Sequence, residues 1–140
     1  MDLRKIIVVG ATSAIAQQCL RRWLVRPAQV VLVGRSAQGL QALAQDLAVR
    51  SPASRIETAV LDFQDPRQIR HWADAQVGPI ELALVAHGSL PVQQDCQQDL
   101  SLAAEALALN GVSPALFAEA LAGAMQVDGQ RRLLLQGALG

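Results

Sequence analysis

The chain has 140 residues, of which 51% are hydrophobic, so it can form one globular domain with a hydrophobic core. Its 12 basic and 12 acidic side chains cancel, and no net charge favours nucleic acid or an anionic membrane surface as a partner. Cys19 and Cys96 lie far apart without a CxxC spacing, which argues against a metal site and a disulfide framework. We predict a single domain over residues 1–140, with no metal.

The sequence pattern predicts a cytoplasmic protein without a membrane partner. Only a short apolar run precedes Gly10, and it is shorter than the core of a signal peptide. We expect no transmembrane helix, because no uninterrupted apolar run approaches the about 18 residues that such a helix needs.

Five short apolar runs predict β-strands. Continuous apolar runs, as opposed to alternating ones, are typical of parallel strands that helices bury on both faces. The five runs are Ile6–Val9, Val30–Val33, Ala59–Leu61, Leu82–Val85 and Leu133–Leu135.

The first two intervening segments predict helices. Residues 13–24 repeat apolar side chains at mostly three- and four-residue spacings, with Ile15 on the apolar face. Residues 36–49 repeat the same pattern, and Ser36 is a residue type that caps helix N-termini.

The later segments predict two more helices. Pro66 suits the first position of a third helix, with Asp65 as its cap and Gly78-Pro79 as its end. A longer helix is expected over about residues 97–126, with a kink or break where Asn110-Gly111 and Pro114 occur.

The alternation of strands and helices predicts an α/β fold with a doubly wound parallel sheet. Right-handed crossovers give the strand order 3-2-1-4-5 most simply. The strand order then reverses beside strand 1, and ligands of such sheets bind there, at the carboxyl ends of the strands. The residues that follow each strand are therefore the candidate site residues.

Strand 1 runs into a turn, residues 10–16, that is suited to a phosphate group. Small residues allow close approach of the backbone, and the helix that follows offers free N–H groups at its N-terminus. Gly10, Ala14 and Ile15 are therefore candidate cofactor-binding residues. Thr12 and Ser13 add hydroxyl donors. The alternative is an ordinary strand-to-helix turn. The sequence thus predicts a site for the pyrophosphate of a dinucleotide.

Strand 2 ends at Arg35-Ser36, where an NAD-binding protein commonly has an acidic residue for the adenosine ribose. A guanidinium beside a small hydroxyl suits the 2'-phosphate of NADP instead. The alternative is a solvated loop arginine. We expect NADP as the cofactor in preference to NAD.

Strands 3 and 4 end at further candidate residues. Asp62 offers a carboxylate to an adenine amino group and Phe63 an apolar surface to its ring, but Asp62 can equally be a loop acid or cap. Ala86 and Gly88 would let the chain pass close to a cofactor ribose. His87 could be a general base, although a lone histidine at a strand end is more often structural.

These features resemble the N-terminal, cofactor-binding part of the short-chain dehydrogenase/reductase family, whose fold is Rossmann-like. The family's TGxxxGxG turn corresponds to residues 9–16, with Gly10 kept and Ala14 and Ala16 in place of later glycines. Its adenine-binding acid corresponds to Asp62. Its NNAG segment corresponds to residues 85–88, where the final glycine is kept.

The resemblance implies an oxidoreductase that transfers hydride between a nicotinamide and a carbonyl or alcohol carbon. Asn110 corresponds to the helix asparagine that supports a proton-relay water in this family. The catalytic Tyr-x-x-x-Lys is absent, because the sequence contains no tyrosine, and the usual catalytic serine position falls on Gln136 or Gly137. We expect a chain that is truncated relative to the family fold and inactive by itself.

The missing catalytic residues leave other functions open. The chain could be a non-catalytic nucleotide-binding module, or an interaction domain without a ligand. The family fold continues beyond strand 5, so we also expect exposed apolar surface on the long helix, which a second copy or a completing partner chain would cover.

Overall fold

The computed structural model describes residues 3–88, 93–125 and 132–135. It contains five strands, six α-helices and one π-helical turn within those ranges. In chain order the elements are β1 Arg4–Val9, α1 Ala14–Trp23, β2 Ala28–Gly34, α2 Ala37–Arg50, β3 Arg55–Val60, α3 Pro66–Asp74, β4 Leu82–Val85, α4 Gln93–Gln98, α5 Leu100–Leu107, the π-helical turn Ala108–Val112, α6 Ser113–Ala124 and β5 Arg132–Leu135.

The strands form one parallel sheet in the order β3-β2-β1-β4-β5, which confirms the predicted fold and strand order. Val9 at the end of β1 pairs with Val33 of β2 on one side and with Val85 of β4 on the other. The strand order therefore reverses beside β1. Because all the strands are parallel, the residues that follow β1, β2 and β4 lie at one edge of the sheet, and the reversal favours a crevice there.

The hydrophobic core has two layers, one on each face of the sheet. Successive side chains of a strand point to opposite faces, so β1 contributes to both layers. One layer contains Ile6 and Val8 with the buried residues of α1 and α2, such as Leu20 and Leu40. The other layer contains Ile7 and Val9 with the buried residues of α3 and α6, such as Ile69 and Phe117.

Strand β3 is longer than its apolar run predicted. The prediction was Ala59–Leu61, whereas the strand is Arg55–Val60 and includes the exposed residues Glu57 and Thr58. The prediction was wrong because β3 lies at the sheet edge, where polar residues face solvent, and an apolar-run criterion detects only strands that are buried on both faces.

Most predicted helix caps are confirmed. The side chains of Ser36 and Asp65 accept hydrogen bonds from backbone N–H groups in the first turns of α2 and α3, and Pro66 occupies the start of α3. Helix α3, however, ends at Asp74 and not at Gly78-Pro79. Gln76 accounts for the earlier end, because its side chain donates a hydrogen bond of 3.0 Å to the carbonyl of Trp72.

The long helical stretch continues through the predicted break. The chain passes through the π-helical turn around Asn110, and α6 then resumes with Pro114 in its first turn. Proline is tolerated there because its missing N–H is not needed at a helix start. The stretch Leu100–Ala124 is long and apolar enough to cross a membrane by length and composition only, and 17% of the apolar 18-residue segment within it is buried. The mostly buried core helix of a soluble protein passes the same test, and one such helix carries little weight by itself. The absence of a membrane partner therefore stays a prediction.

Candidate functional site

The ends of the inner strands are tied together by backbone hydrogen bonds. Gly10 N–H donates to the carbonyl of Val33 at 2.8 Å, which joins the end of β1 to the end of β2. Ala86 N–H donates to the carbonyl of Val9, also at 2.8 Å, which joins β4 to β1. The candidate residues that follow these strands therefore share one edge of the sheet, as predicted.

Gly10 has a backbone conformation and surroundings that only glycine fits. Its φ is +75°, in the left-handed region that side chains disfavour. A Cβ atom added to Gly10 would lie 2.7 Å from Cβ of His87, 2.8 Å from its N and 2.9 Å from the carbonyl carbon of Ala86. The glycine is thus required by the close approach of the residues after β4, a reason that is separate from any ligand.

The turn after Gly10 presents the N-terminus of α1 to solvent. Ser13 caps this helix, and its Oγ accepts a hydrogen bond of 3.2 Å from the N–H of Ala16. Ala14 and Ile15, the first two helical residues, have N–H groups without an intrahelical acceptor, and both residues are exposed. Ile15 is 47% exposed, so its side chain is not part of the core, contrary to the helix pattern.

The N-terminus of α2 lies beside the same turn. Ser36 caps α2, and its Oγ accepts a hydrogen bond of 3.2 Å from the N–H of Gly39. A Cβ atom on Gly39 would lie 3.4 Å from the methyl carbon of Thr12, which places Thr12 next to the first turn of α2. Two helix N-termini therefore converge on Thr12, and both favour negative charge. Sequence reasoning missed Gly39, although a small residue in a first helical turn is a usable signal.

Arg35 brings a positive charge to these helix ends. Its side chain is exposed, and its guanidinium carbon lies 5.9 Å from the centre of the Phe63 ring. The ion pairs found among the described residues, Arg50 with Asp46 and Arg70 with Asp74, do not include Arg35. The guanidinium is thus placed where it could contact an anion.

The two residues after β3 have different surroundings. Asp62 is exposed, and its Oδ1 accepts a hydrogen bond of 3.0 Å from the N–H of Gln64, as in a loop turn. Its backbone N–H donates to the side chain of Gln68. Phe63 is buried with 2% exposure, so little of its ring is available to a ligand.

His87 lies in an aromatic cluster that we define as Phe63, Trp72, His87 and Phe117. The rings of Phe63 and Phe117 meet the imidazole edge-on, with centroids 4.5 and 5.4 Å away. His87 is 7% exposed, its Nε2 lies 2.9 Å from Oγ of Ser113, and its Nδ1 is buried without a hydrogen-bond partner in the described part of the chain.

The imidazole of His87 is neutral at neutral pH. Burial, and secondarily the positive charge of Arg35, lower the pKa of His87 to about 4. A neutral imidazole held between aromatic rings and a buried hydroxyl supports the structural interpretation of this residue. Of its neighbours, Ala86 is buried as well, whereas Gly88 is exposed at the sheet edge.

Sequence reasoning missed the two residues of α6 that hold His87. Ser113 and Phe117 are four residues apart, so they lie on the same helix face, and both are buried. Their spacing indicated a shared face, but no local pattern connected that face with His87. Asn110 precedes Ser113 by less than one turn and lies in the π-helical segment, a feature that is frequent at functional sites.

The chain was compared with known proteins, and no protein-family model matches it. A probable oxidoreductase from Streptomyces antibioticus is 30% identical over 92 residues, which are 64% of this chain and 30% of that protein. Dehydrogenase/reductase SDR family member 7B from Bos taurus is 35% identical over 68 residues, 46% of this chain and 21% of that protein.

Solved structures extend the similarity to nearly the whole chain. A putative short chain dehydrogenase from Escherichia coli CFT073 superimposes with a TM-score of 0.82 at 18% identity, covering 96% of this chain and 61% of that one. The chain thus spans less than a third of the curated relatives and about three fifths of this structure. The predicted resemblance is confirmed: in fold, and in sequence over the matched residues, the chain is similar to part of the short-chain dehydrogenase/reductases.

Proposed function

We propose that the chain is the NADP-binding part of an oxidoreductase of the short-chain dehydrogenase/reductase type. In the reaction that this resemblance implies, hydride passes between the nicotinamide of the cofactor and a carbonyl or alcohol carbon. The observation that carries the proposal is the convergence of two capped helix N-termini with the exposed Arg35 beside the Gly10 turn.

The residues of the turn fit a pyrophosphate. The N–H groups of Ala14 and Ile15 would donate to its oxygens, and the hydroxyls of Thr12 and Ser13 would add to them. Asp62 keeps an exposed carboxylate for the adenine amino group, even though one of its oxygens also serves the loop. Ala86 and Gly88 would pass beside the ribose.

Arg35 and Ser36 would distinguish NADP from NAD. The end of β2 has no carboxylate to bind the ribose 2'-hydroxyl, and the guanidinium there can form charge-assisted hydrogen bonds to a 2'-phosphate. The N-terminus of α2 adds to the attraction for a doubly charged group.

We propose further that this chain does not catalyse the reaction by itself. The chain has no tyrosine to exchange a proton with the substrate oxygen. His87 does not replace it, because its imidazole is buried and has a pKa of about 4. Asn110 retains at most a supporting role. The remaining function is then to bind and orient the cofactor.

The proposed partners follow from the same interpretation. The nicotinamide dinucleotide is the expected ligand, in a cytoplasmic protein without nucleic-acid or membrane partners. Leu100 and Leu107 expose most of their apolar surface on α5, which supports a homo-oligomer or a completing chain that covers them. Light scattering over a range of protein concentrations tests for the homo-oligomer.

The test of NADP binding is a pair of fluorescence titrations with NADPH and NADH. Replacing Arg35 by serine should weaken NADPH binding about 10- to 100-fold, as expected for a lost charge-assisted hydrogen bond, and leave NADH binding within about twofold. Arg67→Ser is the matched control, because Arg67 is also an exposed arginine at a helix N-terminus. Equal affinity of the unchanged chain for NADPH and NADH would contradict the proposal.

A further inference from the structure

We propose that Phe63 is a positioning residue that holds the Arg35 guanidinium at the cofactor site and thereby sets the preference for NADPH over NADH. The inference rests on the proposed function, since it concerns how Arg35 recognises the 2'-phosphate. It assigns to Phe63 a role different from direct contact with adenine.

The contact between Arg35 and Phe63 is a cation–π interaction. The guanidinium carbon lies over the ring, 5.9 Å from its centre, within the range at which the negative face of an aromatic ring attracts a cation. An exposed arginine otherwise samples many rotamers, and binding a phosphate would require it to lose that freedom. Restraining the side chain before the ligand arrives lowers this cost.

The ring of Phe63 is itself held rigidly. It is 2% exposed, and it meets His87 at 4.5 Å and Phe117 at 5.0 Å between ring centres, both edge-on. Trp72 extends the aromatic cluster through its ring contact with Phe117, at 6.0 Å between ring centres. The surface that Phe63 offers to Arg35 is therefore fixed by the core that α3 and α6 form beneath the sheet edge.

Burial limits the alternative role of Phe63. A ring with 2% exposure has too little accessible surface for an adenine to stack on it, whereas a guanidinium needs access to one patch of the ring only. Phe63 therefore affects cofactor binding indirectly, through the position of Arg35.

His87 does not oppose this arrangement. Arg35 and His87 both contact the ring of Phe63. A protonated imidazole at His87 would therefore repel the guanidinium of Arg35. Because its pKa is lowered to about 4, His87 is uncharged at neutral pH, and Arg35 is the cation that faces Phe63.

The test replaces Phe63 by phenylalanines with one, two and three ring fluorines, which withdraw charge from the ring face with little change in shape. The sequence has two phenylalanines, Phe63 and Phe117, so the same series at Phe117 is the matched control. Phe117 is equally buried and in contact with Phe63, but the described cation–π contact of Arg35 is with Phe63.

We expect the ratio of NADH to NADPH dissociation constants to fall stepwise with fluorination at Phe63, by about two- to fivefold in total, and to stay constant at Phe117. The Tm of each chain, measured in parallel, should be similar for the two series. Phe63→Tyr, which keeps an electron-rich ring, should retain the ratio of the unchanged chain.

Two outcomes would overturn the inference. A constant ratio along the Phe63 series would show that the ring face does not act on Arg35, and equal decreases in both series would indicate an effect of core polarity. The Arg35→Ser titration keeps the two proposals separate. If Arg35→Ser removes the NADPH preference while the Phe63 series leaves it unchanged, this inference fails and the proposed function stands.

Discussion

The end of strand β1 and the stretch Leu100–Ala124 are contrasting parts of this molecule. Around β1, helices cover both sheet faces, and Gly10 packs directly against His87 at the end of β4. In the long helical stretch, 17% of the apolar 18-residue segment is buried, and Leu100 and Leu107 lie mostly in solvent. The comparison shows that the residues around the end of β1 are closely packed within the described part of the chain, whereas the apolar surface of α5 is left uncovered there.

This contrast has a physical basis in the connections of the sheet. Strand β1 is central, so it pairs on both sides and receives helices on both faces. Of the long stretch, α6 packs on α3 and the sheet through residues such as Phe117 and Leu121, while α5 has no buried residue. Substitutions near β1 should therefore affect stability strongly, and substitutions on α5 should affect it little.

The largest effect is expected for Gly10→Ala. Alanine at this position would have to adopt a positive φ. Its Cβ would also overlap the backbone of Ala86 and His87, which cannot move without disturbing β4. We expect a loss of about 3–5 kcal/mol in the free energy of unfolding, measured by urea denaturation.

Gly78→Ala is the matched control for this prediction. Gly78 has a similar φ of +83°, but a Cβ there would meet no atom within 4 Å. The control should therefore lose only the conformational part, about 1–2 kcal/mol. Equal losses in the two variants would show that the contact between Gly10 and His87 is not tight in solution.

The second effect concerns the pH dependence of stability at His87. Burial, and secondarily Arg35, lower the pKa of His87 from 6.5 in the unfolded chain to about 4 in the folded chain. Between these values the unfolded state binds more protons, so His87 contributes a loss of stability as the pH falls from 6.5 towards 4. Its contribution should change by about 2 kcal/mol between pH 7 and 4.5.

His87→Gln removes this titration and so isolates it from that of the carboxylates. The difference in free energy of unfolding between the unchanged chain and His87→Gln should change by about 2 kcal/mol between pH 7 and 4.5. His71→Gln, which alters an exposed histidine on α3, is the control. A pH-independent difference for His87→Gln would mean that the imidazole is accessible to protons in the folded state.

Much of the region around β1 could be predicted from the sequence. The apolar runs gave the central strands, and Ser36, Asp65 and Pro66 marked helix starts, because caps and buried strands depend on local chemistry. Edge strand β3 was underestimated, since its polar residues follow no apolar pattern.

The aromatic cluster could not be predicted in the same way. The contacts of His87 with Ser113 and Phe117 join residues at least 26 positions apart, and they depend on how α6 crosses the sheet. The burial of Phe63 is of the same kind: an aromatic residue after a strand can face a ligand or the core, and only the packing of the helices decides. The roles of the candidate site residues towards a cofactor remain predictions.

The smallest effect is expected on α5, for Leu107→Gln. Leu107 is 71% exposed, and glutamine has a helix propensity close to that of leucine, so the free energy of unfolding should change by less than about 0.5 kcal/mol. Leu121→Ala, at a fully buried leucine of α6, serves as the positive control for the denaturation measurement.

Denaturation at several protein concentrations completes the test of α5. If a second copy covers this helix, the free energy of unfolding of the chain should rise with protein concentration. A loss above about 1 kcal/mol that grows with concentration would show that α5 is buried between copies in solution, and the contrast with β1 would then hold for the single chain alone.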